Sequence, residues 1–276
     1  MTHPATPETT RTGHRSVNRP PTSTYLASKH IRAVIFDLDG TLAPSKSRIA
    51  PSTADLLMQL LERVDVCIIS GGTFEQFNTQ VLRYLTESQN LTRLHLMPTC
   101  GTRYYRWASN SWQQVYAEDL APDVRTHIIA VLTEGARALG LTGARTWGPT
   151  VQDRGTQITY SALGQQAPLD AKTAWDPDGS KKASLRRYAA TRLPGLEVRS
   201  GGSTSIDVTR KGVDKAYGVA KLEHDLDLNI DDLLFLGDRL DADGNDYPVK
   251  ELGVTCIAVT GWQDTNKRIT DLLAAL

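Results

Sequence analysis

Two aspartates, Asp37 and Asp39, stand two residues apart directly after the apolar run Ile31–Phe36. A carboxylate is a competent nucleophile toward phosphorus, because the acyl phosphate it forms is itself reactive. Its neighbour can then serve as acid and base. A third acid, Asp238, follows Gly237 at the end of another apolar run, Leu233–Leu236. Three such carboxylates would repel one another unless a cation sat among them. An all-oxygen donor set that leaves room for water and a substrate phosphate suits Mg2+, which also neutralises charge on a transferring phosphoryl group. Ser70, ahead of Gly71 and Gly72, can offer a hydroxyl and backbone N–H groups to a phosphate oxygen. Lys215 can place an ammonium on the same oxygens, and Asp241, Asp243, Asn245 and Asp246 supply an acidic loop able to orient the metal's surroundings. Singly these are ordinary features: a D-x-D-G is as often a turn with solvated acids. The loop at 241–246 also faintly suggests a Ca2+ site, but it lacks the full ligand spacing and the terminal Glu. The ordered combination is far more specific than any of its parts.

Residues of this kind must be held by a rigid frame. Ile31–Phe36, Val66–Ile69, Leu233–Leu236 and Val254–Val259 are short, nearly continuous apolar runs of the kind found in buried parallel strands. Ser52–Val64 carries one apolar face at helical spacing, with Ser52 expected as its cap. Strands alternating with helices imply an α/β parallel sheet, whose ligands collect beyond the carboxyl ends of the strands. The middle of the chain reads differently. Arg103–Tyr116 is aromatic and interrupted by a turn at Ser109-Asn110, as in a hairpin. Thr156–Tyr160 and Glu197–Thr209 read as strands, and Pro122–Leu139 and Lys181–Leu193 as helices. Together they suggest an inserted α+β segment, in whose sheet Tyr104, Tyr105, Trp107, Trp112 and Tyr116 serve as packing residues. The expected division is a disordered tail at 1–30, a catalytic core at 31–101 and 210–276, and an inserted cap at 102–209.

Composition narrows the class. Lys and Arg number 31 against 31 Asp and Glu, and the sequence pI is about 7.0. Binding nucleic acid by phosphate neutralisation needs a clustered cationic excess, so that class is disfavoured, as is a basic membrane-surface protein. No apolar run approaches the roughly 18–20 residues that span a bilayer. The widely spaced Cys67, Cys100 and Cys256 make neither a disulfide framework nor a zinc site. A cytoplasmic enzyme is expected. The charge balance is a cancellation: residues 1–30 carry +3 and the remainder −3.

The ordered motifs resemble those of the haloacid dehalogenase superfamily of phosphotransferases over residues 31 to about 270. Phe36-Asp37-Leu38-Asp39-Gly40-Thr41-Leu42 is similar to its first motif, Ile69-Ser70-Gly71 to the second, Lys215 to the third, and Gly237-Asp238 with Gly244-Asn245-Asp246 to the fourth. A cap of about a hundred residues between the second and third motifs resembles subclass IIB. Within it, Asp153-Arg154-Gly155-Thr156, Ser161-Ala162-Leu163-Gly164 and Ser205-Ile206-Asp207-Val208 resemble eukaryotic-type phosphomannomutases. The resemblance implies a Rossmann-like α/β core with an inserted type II α+β cap. It implies Asp37 as nucleophile and Asp39 as acid/base, with Ser70, Gly71 and Lys215 holding the phosphate. It further implies a Mg2+ site of Asp37, Asp39 (through its backbone carbonyl), Asn245 and Asp246, with Asp238 as the main ligand. Ser205 and Asp207 would meet sugar hydroxyls. Capped mutases of that family pair through their caps, so a homodimer through the cap is the corresponding expectation.

The departures are informative. Such mutases hold the non-reacting phosphate with arginines, and the matching positions are Ser161, Gln165 and Lys172 in the cap and Lys46 in the core. Two neutral replacements remove charge, and two lysines lose the bidentate fork. A phosphatase needs only one phosphate grip and a water, so hydrolysis of a sugar phosphate is the first expectation. Arg154, Lys172 and Lys46 forming another anchor would keep a hexose phosphomutase as the second.

Overall fold

The computed structural model describes residues 30–143 and 145–276; the tail expected at 1–30 lies almost wholly outside the described residues. A seven-stranded sheet forms the frame, in the order β11-β10-β1-β2-β3-β4-β5. Its parallel part comprises β1 (Ala33–Asp37), β2 (Asp65–Ile69), β3 (Leu94–Met97), β10 (Leu233–Gly237) and β11 (Thr255–Ala258). Successive side chains of β1 point to opposite faces, so each face acquires its own core. Val34 and Phe36 pack with Leu57, Leu60, Leu61 and Ile269, contributed by α1 (Pro51–Leu61) and α8 (Trp262–Ala275). Ala33 and Ile35 pack with Val219 and Leu222 of α6 (Lys215–Asp225) and Val249 of α7 (Tyr247–Glu251). Both faces of β1 are therefore covered, which is why its residues before Asp37 are apolar throughout.

The structure revises three local expectations. Helix α1 starts with Pro51 after Ala50 and has no side-chain cap; Ser52 instead accepts a hydrogen bond from Asn266 Nδ2 at 3.2 Å. Glu197–Thr209 is not one strand but the hairpin of β8 (Leu196–Ser200) and β9 (Ser205–Arg210). The aromatic hairpin, β4 (Arg103–Ala108) and β5 (Ser111–Ala117), does not open the cap: it extends the core sheet, with β4 antiparallel to β3. The reason lies in its alternation. Tyr104 is buried in one core face, whereas Tyr105, Trp107 and Trp112 pack against the other. Tyr105 also stacks on Phe74 with ring centroids 4.1 Å apart.

The inserted layer is a second sheet, β6-β7-β9-β8, with β6 at Val151–Asp153 and β7 at Ile158–Ser161. Helices α3 (Pro122–Ala138) and α5 (Ser180–Arg192) cover it, burying Ile128, Leu132, Leu185 and Ala189 against Ile158, Ile206 and Val208. Two shorter helices complete the set: α2 (Phe74–Gln80) follows β2, and α4 (Leu169–Trp175) lies between β7 and α5. Where cap meets core, Thr99, Thr102 and Thr156 join hydroxyls in a buried cluster with separations of 2.7, 2.7 and 3.0 Å. No helix of the described residues is long and apolar enough to cross a membrane.

Candidate active site

Strand β1 lies between β2 and β10, so its loops and theirs open a shared crevice at the carboxyl edge. Asp37 closes β1 and registers with Ile69, the last residue of β2, which sets Ser70 beside it. Gly237 ends β10 and delivers Asp238 one residue beyond. Lys215 begins α6, whose first turn is capped by Asp214 accepting from Tyr217 N at 3.1 Å. Its ammonium is almost fully enclosed, 1% exposed, and bonds to both Asp37 and Asp246.

Oxygen atoms of Asp37, Asp238 and Asp246 lie within 4.8 Å of one another. Burial pushes the Asp37 carboxyl up to about 6; Lys215 opposes that shift, while Asp246 and Asp238 add to it. Burial and then Asp246 likewise raise Asp238. Burial opposes the charge on Lys215, yet Asp37 and Asp246 together hold its pKa above the ordinary lysine range. The glycines make this density attainable. Gly40 sits at φ +93°, where a Cβ would stand 2.4 Å from Asp238 Oδ2, and a Cβ on Gly237 would stand 2.3 Å from Asp246 Oδ2.

The three carboxylates fit a hard divalent cation by donor type and crowding. Their roles differ, however. Asp246 is fully buried, with one oxygen on Lys215 and the other accepting from Arg239 N at 3.0 Å, so it positions Lys215 and the loop. Asp37 and Asp238 are the carboxylates left to face a metal. Asn245 is exposed at the mouth of the crevice. The Asp39 side chain stands outside the cluster. Its Oδ1 accepts from Lys46 N at 2.7 Å and Gln80 Nε2 at 3.1 Å, and its Oδ2 from Gln76 Nε2 at 2.9 Å.

Cap and core enclose a cavity of about 720 Å3, and the sequence-derived candidates converge on it. Asp37, Asp39, Ser70, Gly71, Lys215 and Asn245 line its core side with Lys46; Arg154, Gln165, Lys172, Ser205 and Asp207 line its cap side. Hydrogen bonds within its lining join cap to core: Arg154 Nη1 donates to Gly71 O at 2.6 Å, Lys46 Nζ to Gln165 O at 3.2 Å, and Arg199 Nη1 to Val213 O at 3.2 Å. Ser70 Oγ accepts from Gly72 N at 3.1 Å, which fixes the turn of the loop. Asp207 accepts from Thr159 Oγ1 at 2.6 Å, and Ser205 reaches Ser161 Oγ at 3.2 Å. Burial lowers the pKa of Lys46, and the nearby charges of Lys172 and Arg154 lower it further, so three cations confront one another across the cavity. Cys100 also lines it, but burial pushes its thiol up to about 11, which leaves it protonated and a poor nucleophile.

Sequence reasoning did not find Gln76, Gln80, Arg199, Lys182 or Arg239 here. The two glutamines lie four apart on α2, on one face of a helix that follows Ser70-Gly71-Gly72, and that spacing was the available signal.

Known proteins give this arrangement a context. A family model described as haloacid dehalogenase-like hydrolase matches residues 34–259. Phosphomannomutase 1 of Mus musculus is 24% identical over 247 residues, covering 86% of this chain and 90% of the relative. The phosphomannomutase of Galdieria sulphuraria is 25% identical over 244 residues, covering 86% and 93%. Among solved structures, a haloacid dehalogenase-like hydrolase from Bacteroides thetaiotaomicron superposes with a TM-score of 0.59 at 16% identity, over 89% of this chain and 98% of that one. An N-terminally truncated Plasmodium falciparum IMP-nucleotidase superposes with a TM-score of 0.68 at 13% identity, over 92% and 73%. With the family match spanning both halves of the core and the inserted layer between them, this chain belongs to the haloacid dehalogenase-like hydrolase family.

Proposed function

We propose that the chain is a phosphatase that hydrolyses a sugar phosphate, or a similar small phosphoester, through an aspartyl-phosphate intermediate. An Asp37 oxygen attacks phosphorus and the P–O bond to the leaving alkoxide breaks as Asp39 gives that oxygen a proton. Water then attacks the acyl phosphate, with Asp39 taking the proton back and inorganic phosphate departing. Ser70 and the backbone around Gly71 receive the phosphate oxygens, and Lys215 balances the carboxylates during the charge shift. Asp37 and Asp238 are the residues that would hold Mg2+, whose contribution is to neutralise phosphoryl charge.

The observation that carries hydrolysis over phosphoryl transfer between sugar positions is the state of the arginines. Each one lining the cavity is already engaged. Arg154 bonds Gln152 Oε1 through Nε and Nη2 and Gly71 O through Nη1. Arg199 bonds Val213 O at 3.2 Å, and Arg239 bonds Asp241 at 2.9 Å. Ser161, at a position where a mutase would carry an arginine, is buried and bonded to Gly164 O and Thr204. Each of the three arginines lining the cavity, Arg154, Arg199 and Arg239, thus already holds a protein partner, which disfavours a bidentate grip on a second phosphate.

The second reading is a hexose phosphomutase. It is supported by the mutually facing Lys46, Arg154 and Lys172 and by the similarity to phosphomannomutases. Incubation with mannose 1-phosphate, with and without a hexose 1,6-bisphosphate, separates the two. Free phosphate released without the bisphosphate supports hydrolysis; bisphosphate-dependent mannose 6-phosphate overturns it. Under either reading Asp37→Asn abolishes turnover, and a fully active variant would refute the nucleophile assignment.

A further inference from the structure

We infer that Gln76 is a positioning residue for acid catalysis by Asp39; the inference rests on the phosphoryl-transfer reading above. The Asp39 carboxylate is held from both sides. On Oδ1 the donors are Lys46 N and Gln80 Nε2, and the same Gln80 amide also donates to Ser47 O at 2.7 Å. Gln80 is buried, 3% exposed, and ties the Lys46–Ser47 turn to α2, so its part is to hold the loop. Oδ2 has a different environment: its donor is Gln76 Nε2 at 2.9 Å, and Gln76 itself lines the substrate cavity. Gln76 thus fixes the torsion of the carboxyl plane through a side chain that itself lines the cavity. Gly72 leaves the space for it, since a Cβ there would stand 2.4 Å from Gln76 Oε1. The reach of Gln76 therefore depends on a glycine of the very loop that receives phosphate.

An acid that must deliver a proton along one line loses most when its plane is free to rotate. The loss should depend on how much the leaving oxygen needs that proton. A sugar alkoxide needs it; p-nitrophenolate, the anion of a much stronger acid, leaves without it. Because kcat/KM reports the steps up to transfer of the phosphoryl group, it isolates the protonation step from the later attack of water.

The test is Gln76→Leu, of similar volume and without the donor, with kcat/KM measured on a sugar phosphate and on p-nitrophenyl phosphate. Loss of a hydrogen bond to a charged group predicts a fall of about 10- to 100-fold on the sugar phosphate. On p-nitrophenyl phosphate the change should stay within about threefold. An equal fall on both esters would assign Gln76 a purely structural part, and no fall on either would show the contact to be idle; both results overturn the inference. Asp37→Asn run in parallel keeps the two levels apart. If that variant turns over both esters at the wild-type rate, the aspartyl-phosphate reading falls first.

Discussion

The buried triad of Asp37, Lys215 and Asp246 permits a quantitative prediction. Lys215→Met keeps the unbranched stem and removes the charge. The ammonium is 1% exposed and its partners 5% and 0%, so water cannot replace it. Removing one partner from a buried ionic network costs about 3–5 kcal/mol, because the remaining charges stay buried and uncompensated. For a domain of this size that corresponds to a fall in Tm of about 6–20 °C. The pH dependence makes the prediction specific. Asp37 is already pushed up to about 6 by burial with Lys215 opposing, so loss of the lysine moves it further up. A carboxyl whose folded pKa lies above its unfolded value contributes its full stability below the unfolded value, and loses it as pH rises through the folded one. The deficit of the variant relative to wild type must therefore be larger at about pH 8 than at about pH 5. Thermal unfolding followed by circular dichroism in EDTA at both pH values reads this directly. A deficit below about 1 kcal/mol, or one equal at both pH values, would refute the reasoning, because the triad would then behave like an exposed ion pair.

Two further outcomes follow from the same geometry. Gly40→Ala forces a side chain into φ +93° with its Cβ 2.4 Å from Asp238 Oδ2, so it should cost about 1–3 kcal/mol and raise the Mg2+ concentration needed for half-maximal activity. An unchanged Mg2+ requirement would show that Asp238 is not displaced. On the proposed reading Asp37 attacks as the anion, so kcat/KM at limiting Mg2+ should fall as pH drops through about 6. A nearby cation favours the ionised form, so added Mg2+ should move that limb to lower pH; initial rates across pH at two Mg2+ concentrations check the direction.

The parts of this fold that could be read from sequence are those whose environment is uniform along the chain. Strands β1, β2 and β10 are buried parallel strands and β11 is their parallel edge neighbour, and the acids and glycines that follow the three buried strands mark the carboxyl edge. Strand β3 escaped because Leu94-His95-Leu96-Met97 carries a polar residue in its middle. His95 is completely buried, and its ring Nδ1 meets the Tyr104 hydroxyl at 2.7 Å, a partner supplied by the next strand. The aromatic hairpin was correctly read as β structure and placed in the wrong layer. Alternation reveals that a strand has two faces but not which sheet it joins, and here the pairing with β3 decides. Gln76 and Gln80 carry no metal or phosphate signature. Their meaning arises only when α2 sets them against Asp39, which lies 37 and 41 residues earlier in the chain.

The substrate side was harder to read for a different reason: there, identical residue types serve structure or chemistry according to what they have already bonded. Counting cations at the cavity suggests a strong grip for a second phosphate. Following their hydrogen bonds suggests otherwise. Arg154 is spent on Gln152 and on the Gly71 carbonyl, so its charge locks the cap onto the phosphate loop. Lys46 is spent on Gln165 O, with its backbone on Asp39. The cap surface facing the cavity includes Gln157, Thr159, Thr204, Ser205 and Asp207, donors and acceptors of hydroxyl chemistry. Under the proposed function such a lining selects by exchanging its internal hydrogen bonds, Thr159 to Asp207 and Ser205 to Ser161, for the hydroxyls of the substrate. On the proposed reading, specificity then resides in the polyol portion of the substrate, while affinity for its phosphate comes from the core. Replacing Thr159 or Ser205 by alanine should raise KM for a sugar phosphate while leaving p-nitrophenyl phosphate, which has no hydroxyls to present, within about twofold. A matching rise on both esters would place these residues in the fold of the cap and not in recognition, since only a direct contact can tell the two leaving groups apart.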